Sequence, residues 1–101
     1  MEGSRTLTLK IITPEGTVYD GPAEHAVFPG EAGQFAVYPM HAPLVAALDK
    51  GDIRYYPPSG EARYAIEGGF AEVLNDVVTA SVEPAGGHAP DAAAKRQDGA
   101  R

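Results

Sequence analysis

With 101 residues, 44% of them hydrophobic, the chain has material for one packed core and too little for two. It has no cysteine, which excludes a disulfide framework, thiolate catalysis and Cys-ligated metal centres, and its net charge of -6 with eight scattered Lys and Arg disfavours nucleic acid or an anionic lipid surface as partner. No run approaches the roughly 18 apolar residues of a membrane-spanning helix, and the opening Met-Glu-Gly-Ser-Arg is unlike a secretory signal, so the expectation is a soluble, cytoplasmic-side domain with a protein partner.

In chain order, residues 6–13 alternate Leu7, Leu9 and Ile11 against Thr6, Thr8 and Lys10, the period-two pattern of a strand with one buried face. Pro14-Glu15-Gly16 reads as a turn, because proline presets φ and glycine admits positive φ; a short strand at Thr17–Tyr19 follows, closed by Asp20-Gly21. Ala23–Phe28 and Gln34–Tyr38 read as strands around a turn at Pro29–Gly33, with Phe35 and Val37 on one face. Leu44–Leu48 is a continuous apolar run bounded by Lys50-Gly51-Asp52; a strand buried on both faces is preferred, and its alanines keep a helical alternative open.

Ile53–Tyr56 and Ala62–Ile66 flank Pro57-Pro58-Ser59-Gly60-Glu61, whose prolines cannot donate to a ladder and so belong in a loop. Phe70–Leu74 and Val77–Val82 flank Asn75-Asp76, which suits a type I′ turn. Gly68-Gly69 reads as a bulge or a crossing between sheets. Nine or ten short strands with no long helical period imply an all-β sandwich or barrel over residues 1–84. Residues 85–101 turn Pro-, Gly- and Ala-rich and read as a tail, with Asp91–Gln97 able at most to form a marginal helix.

Chemistry is scarce. His25, His41 and His88 lack metal-ligand spacing, Ser4, Ser59 and Ser81 sit in no nucleophile elbow, and "GEAGQF" at residues 30–35 lacks the Lys, the Ser or Thr and the helix of a phosphate loop. The carboxylates fall mostly in turns. No catalytic, cofactor or metal site is expected. One loop stands out: Pro39 and Pro43 stiffen both ends of a segment carrying His41, which suits docking, although a plain tight corner explains the prolines as well.

The stretches Thr13-Pro14-Glu15-Gly16, Phe28-Pro29-Gly30, Tyr38-Pro39-x-His41-Ala42-Pro43-Leu44 and Gly68-Gly69-Phe70-x-Glu72-Val73 together resemble the N-terminal domain of the epsilon subunit of bacterial and chloroplast F-type ATP synthase, called delta in mitochondria. The resemblance covers about residues 6–83 and implies a ten-stranded β-sandwich of two sheets. It also implies a non-catalytic subunit of the central stalk, peripheral on the cytoplasmic face of the bacterial inner membrane and without a cofactor. Such a subunit binds the gamma subunit and the c-ring below the alpha/beta head, and helps couple proton or sodium flow to ATP synthesis. By that resemblance Glu31, Gln34, Met40 and His41 face the c-ring and gamma, and Thr13 and Ala46 match gamma-facing positions.

Three departures accompany it. Family members usually carry glycine where this chain has Met40, so a positive φ there would cost on the order of 1 kcal/mol or force a different loop shape. Gln34 stands where some members have an acid. The family's two-helix C-terminal hairpin is matched only vaguely by Asp91–Arg96, so no inhibitory brake and no regulatory ATP site are expected. A reading from another class stays open, a free-standing β-sandwich binding module of the same fold.

Overall fold

The alternation in the first strand organises the computed structural model, which describes residues 5–87. β1 (Leu7–Thr13) buries Leu7, Leu9, Ile11 and Thr13 on one face. It is followed by β2 (Gly16–Ala23), β3 (Ala26–Gly30), β4 (Gly33–Val37), β5 (Leu44–Leu48), β6 (Gly51–Tyr55), β7 (Ala62–Leu74) and β8 (Val77–Pro84). The expected readings of His88 and of Asp91–Gln97 lie outside the described residues.

The eight strands hydrogen-bond in the order β2-β1-β8-β7-β5-β3-β4, with β6 joining β3 to β7. This sheet folds over itself because β7 belongs to both layers. Its residues 62–66 pair with β6, and its residues 69–73 pair with β5. One layer is therefore β2-β1-β8-β7-β5 and the other β4-β3-β6-β7. Between them Phe28, Leu9, Ile11, Ile53 and Val78 are wholly buried in a single apolar core, which supplies most of the stabilisation at about 25 cal/mol per Å² of apolar area removed from water.

The all-β architecture matches the expectation, while the strand count falls to eight for a physical reason. The two strands expected at residues 62–66 and 70–74 are one 13-residue strand, and Gly68-Gly69 is its crossing between layers, where the register with β8 shifts. Gly69 has φ of +148°, and a Cβ there would press on the Ser81 carbonyl oxygen and come within 2.7 Å of Val82 Cα. Glycine is what lets the two backbones approach this closely.

Proline and glycine mark fewer strand ends than expected. β2 runs through Asp20-Gly21-Pro22 to Ala23, which an edge strand pairing only with β1 tolerates. β3 includes Pro29, so the following turn shrinks to Glu31-Ala32. The strand reading of Leu44–Leu48 holds over the helical one, but burial on both faces does not: Val45 is 71% exposed. The opposing layer covers only one side of β5. Asn75 and Asp76 have φ of 52° and 63°, as a type I′ turn requires.

Toward one end of the core lie three tyrosines. The Tyr19 and Tyr55 rings are 4.9 Å apart, Tyr19 donates a 2.6 Å hydrogen bond to the Pro22 carbonyl, and the buried Tyr64 hydroxyl has no partner among the described residues. Burial pushes the Tyr55 phenol pKa up, with a smaller contribution from Tyr19; burial likewise raises that of Tyr64, with help from Glu15 and Tyr55. A raised folded-state pKa means that the folded form holds its proton longer. The associated stability is intact below the ordinary phenol value of about 10 and is lost as pH climbs through the raised values.

Two predictions follow from this packing. Gly69→Ala should lower the unfolding free energy in urea by about 2–4 kcal/mol, whereas Gly68→Ala, whose Cβ would sit 3.4 Å from the Leu48 carbonyl oxygen, should change it by under about 1 kcal/mol. Tyr64→Phe should leave stability at neutral pH unchanged or raise it by up to about 1 kcal/mol, because it removes an unsatisfied buried hydroxyl. The same variant should show a shallower fall of Tm above about pH 10 than the parent.

Candidate functional site

The proline-flanked loop is a defined turn. The His41 N–H donates to the Tyr38 carbonyl at 3.2 Å, Pro39 occupies the second position, and Met40 occupies the third with φ of 69°. This is the pattern of a type II turn, whose third position normally holds glycine. Met40 therefore keeps the positive φ, and the loop is not reshaped to avoid it. The Met40 N–H donates a 2.6 Å bond to the Asp76 carboxylate, from a turn 36 residues further on. Asp76 is in turn tied to β1, since its carbonyl accepts from the Thr8 N–H at 2.8 Å. A charge-assisted bond of this kind contributes about 1.5–3 kcal/mol, enough to hold Met40 in the left-handed region.

His41 Nδ1 lies 2.7 Å from the Ala42 carbonyl oxygen. A carbonyl only accepts, so this bond puts the ring proton on Nδ1 and leaves Nε2 available to a partner. Met40 beside it is 72% exposed.

The Glu31-Ala32 turn is fastened to β5 by the Glu31 N–H, which donates to the Ala47 carbonyl at 2.9 Å, and by the Asp49 N–H, which donates to the Pro29 carbonyl at 2.7 Å. An open groove of about 310 Å³ runs there between Glu31, Phe35, Val45 and Ala46. Gln34 is exposed on β4 opposite Pro29. β5 pairs with β7 along its whole length but with β3 only at Leu48, so residues 44–46 present a sheet edge.

Five of the six residues singled out in the sequence come to lie near β5, but at two ends of the β3–β4 hairpin: Glu31, Gln34 and Ala46 by the groove, and Met40 and His41 in the loop that enters β5. Thr13 does not. It ends β1, separated from β5 by β8 and β7. Its hydroxyl donates to the Gly16 carbonyl at 3.0 Å and accepts from the Glu15 N–H at 3.1 Å, and the residue is buried. This is the chemistry of a turn stabiliser.

Sequence reasoning missed Asp76 as the anchor of the loop, and it missed an apolar surface. On the outer side of the β2-β1-β8-β7-β5 layer, Phe70 is 61% exposed, with Val45, Leu74, Ile12 and Val77 exposed nearby. The registers Ala47↔Phe70↔Ser81↔Ile12 place Phe70 and Ile12 on one transverse row of this face. The signal was in the sequence, since β5 and its neighbours are apolar at outward as well as inward positions, but it read as complete burial. Among the described residues no three His, Asp or Glu form a metal-binding group, and no helix is long and apolar enough to cross a membrane. What the surface offers is apolar area, a strand edge, an imidazole and a few carboxylates, which are the means of protein docking.

Comparison with known proteins shows what the chain is similar to. The family described as ATP synthase, Delta/Epsilon chain, beta-sandwich domain matches residues 6–86. The ATP synthase epsilon chain of Synechococcus elongatus is 42% identical over 80 residues, covering 79% of this chain and 58% of that protein. That of Prochloron didemni is 46% identical over 80 residues, covering 79% and 59%. The chain thus spans less than two thirds of the length of these relatives. A chain in a cryo-EM structure of the Euglena gracilis mitochondrial ATP synthase superposes with a TM-score of 0.72 at 22% identity, over 76% of this chain and 50% of that one. One from the central stalk and c-ring of the Tetrahymena thermophila enzyme gives 0.65 at 10% identity, over 80% and 66%. At those identities the likeness speaks for the fold.

The anchoring of Met40 is directly testable. Met40→Gly should raise the unfolding free energy by about 0.5–1 kcal/mol, because glycine adopts the left-handed region without strain. Asp76→Ala should lower it by roughly 1–3 kcal/mol, and Asp76→Asn by less, because asparagine keeps both an acceptor and a tolerance for positive φ. Denaturant titrations of the three variants check the order.

Proposed function

The chain belongs to the family of ATP synthase delta/epsilon chain β-sandwich domains, and we propose on that premise that it is a non-catalytic rotor element of an F-type ATP synthase. In this role it links the gamma subunit to the c-ring and helps couple proton or sodium movement to ATP synthesis, peripheral to the membrane on its cytoplasmic face. The observation that carries the reading is the pinned Tyr38–His41 turn that leads into β5, a strand whose edge also borders the Glu31 groove. It is a rigid, mostly uncharged docking surface with nothing in it that could perform phosphoryl chemistry.

Each part then has a mechanical task. Torque passes between rotor elements only through contacts that do not give way, and a loop fastened to β1 and to the β7–β8 turn meets that need better than a free one. Met40 and His41 present apolar area and Nε2, Glu31 supplies one negative charge, and Gln34 adds a neutral amide toward the c-ring and gamma. Ala46 keeps β5 smooth enough for close approach. Thr13 contributes through the shape of the β1–β2 turn that it stabilises.

Reconstitution tests the reading. The chain should co-elute in a stoichiometric complex with gamma and the c-ring of its own synthase. The double substitution Gln34→Ala and His41→Ala should weaken that complex by about 1 kcal/mol or more, and ATP hydrolysis should then continue with less proton pumping per turnover. Absence of any complex at micromolar concentrations would instead favour a free-standing binding module.

A further inference from the structure

Three rings stand in one row on the outer face of the β4-β3-β6 part of the sandwich, and only one of them, Tyr38, belongs to the proline-flanked turn. The His25 imidazole is stacked on the Tyr38 phenol, with centroids 4.6 Å apart and planes 10° from parallel. Its other neighbour is the Tyr56 phenol, at 4.1 Å and 15°. The cause is register. β3 pairs with β4 as Ala26↔Val37 and with β6 as Ala26↔Tyr55. One residue outward, His25 therefore falls opposite both Tyr38 and Tyr56. The Tyr56 N–H donates to the His25 carbonyl at 3.1 Å and the Glu24 N–H donates to the Tyr56 carbonyl at 2.7 Å, which extends the β3–β6 pairing by that step. Strands lie about 4.8 Å apart, so flat side chains at one register position on three neighbouring strands meet face to face.

Tyr38 is also the first residue of the turn that presents Met40 and His41, and its carbonyl closes that turn. Without the stack its ring, 56% exposed, would have little to hold it. We propose that His25 is a positioning residue: wedged between Tyr38 and Tyr56, its ring clamps the entrance of the Tyr38–His41 turn to the body of the sandwich, as Asp76 clamps its middle. Two fixed points at consecutive stages of one turn hold its orientation as well as its shape. The functional meaning of the clamp rests on the reading of this turn as partner-facing, whereas its existence is a property of the isolated chain.

Any planar ring of similar size can fill the gap, whereas a branched aliphatic side chain of similar volume cannot stack. In the isolated chain, His25→Leu should accelerate hydrogen exchange of the Met40 and His41 amides by on the order of fivefold, the loss expected when aromatic stacking is removed. Exchange at Leu9 and Ile11 in the core should stay as in the parent. His25→Phe should restore slow exchange to within about twofold. In the parent, the His25 ring protons should resonate upfield through the two ring currents and move back downfield in Tyr38→Leu. The proposal is overturned if His25→Leu leaves the two loop amides unchanged, if core amides accelerate equally, or if His25→Phe behaves like His25→Leu. Binding of the same variants to gamma is read separately. A clamp seen by exchange together with no gamma complex even for the parent would refute the rotor assignment and leave the clamp standing.

Discussion

The structure depends on the close passage of β7 against β8 at Gly69. Two layers can share a strand only if that strand changes layers without breaking its ladder, and here the change takes place beside Ser81 and Val82 at a separation no Cβ would allow. The arrangement of β5 and of the loop before it follows from it. The C-terminal half of β7 aligns β5 with its outer edge free, and the turn after β7 delivers Asp76 to the loop before β5. A β-sandwich built from separate short strands would need a further connection at this point, and the loop would have no fixed carboxylate to bind.

Strain is concentrated at two turns that touch each other. Among the described residues only Met40, Asn75 and Asp76 adopt positive φ without being glycine, and two of the three are hydrogen-bonded to each other. Asn and Asp tolerate that conformation through their short polar side chains; a methionine does not. Its presence at an exposed turn, held by a charge-assisted bond, exchanges some stability for a large flexible apolar side chain at the tip. Thr13 represents the opposite case, a residue whose polar group is wholly used inside its own turn.

Much of the fold was legible. Period-two alternation located β1 and the inward face of β4, turn residues bracketed β6 and β8, and Asn75-Asp76 announced its hairpin, because these signals arise from neighbours in the chain. The errors have a common origin. Proline and glycine were read as strand ends, yet Pro22 and Pro29 sit inside strands, and the crossing read at Gly68-Gly69 joins the two expected strands into one. Whether such a residue interrupts a strand depends on which side of it has a partner, and that is a property of the sheet. β5 was read as buried on both faces for the same reason, since apolar residues look alike whether they meet a second layer or await another protein.

The sequence by itself determined an acidic, all-β domain, the positions of most strands, and a stiff loop around His41 with an unexpected Met40. Composition, alternation and turn chemistry act over a few residues, so they can be read along the chain. Tertiary structure alone decided that β7 serves two layers, that Asp76 fastens Met40 across 36 residues, and that His25, Tyr38 and Tyr56 share one row. Those outcomes depend on which strands become neighbours and in what register, and the free energy that selects them comes from the whole buried core at once.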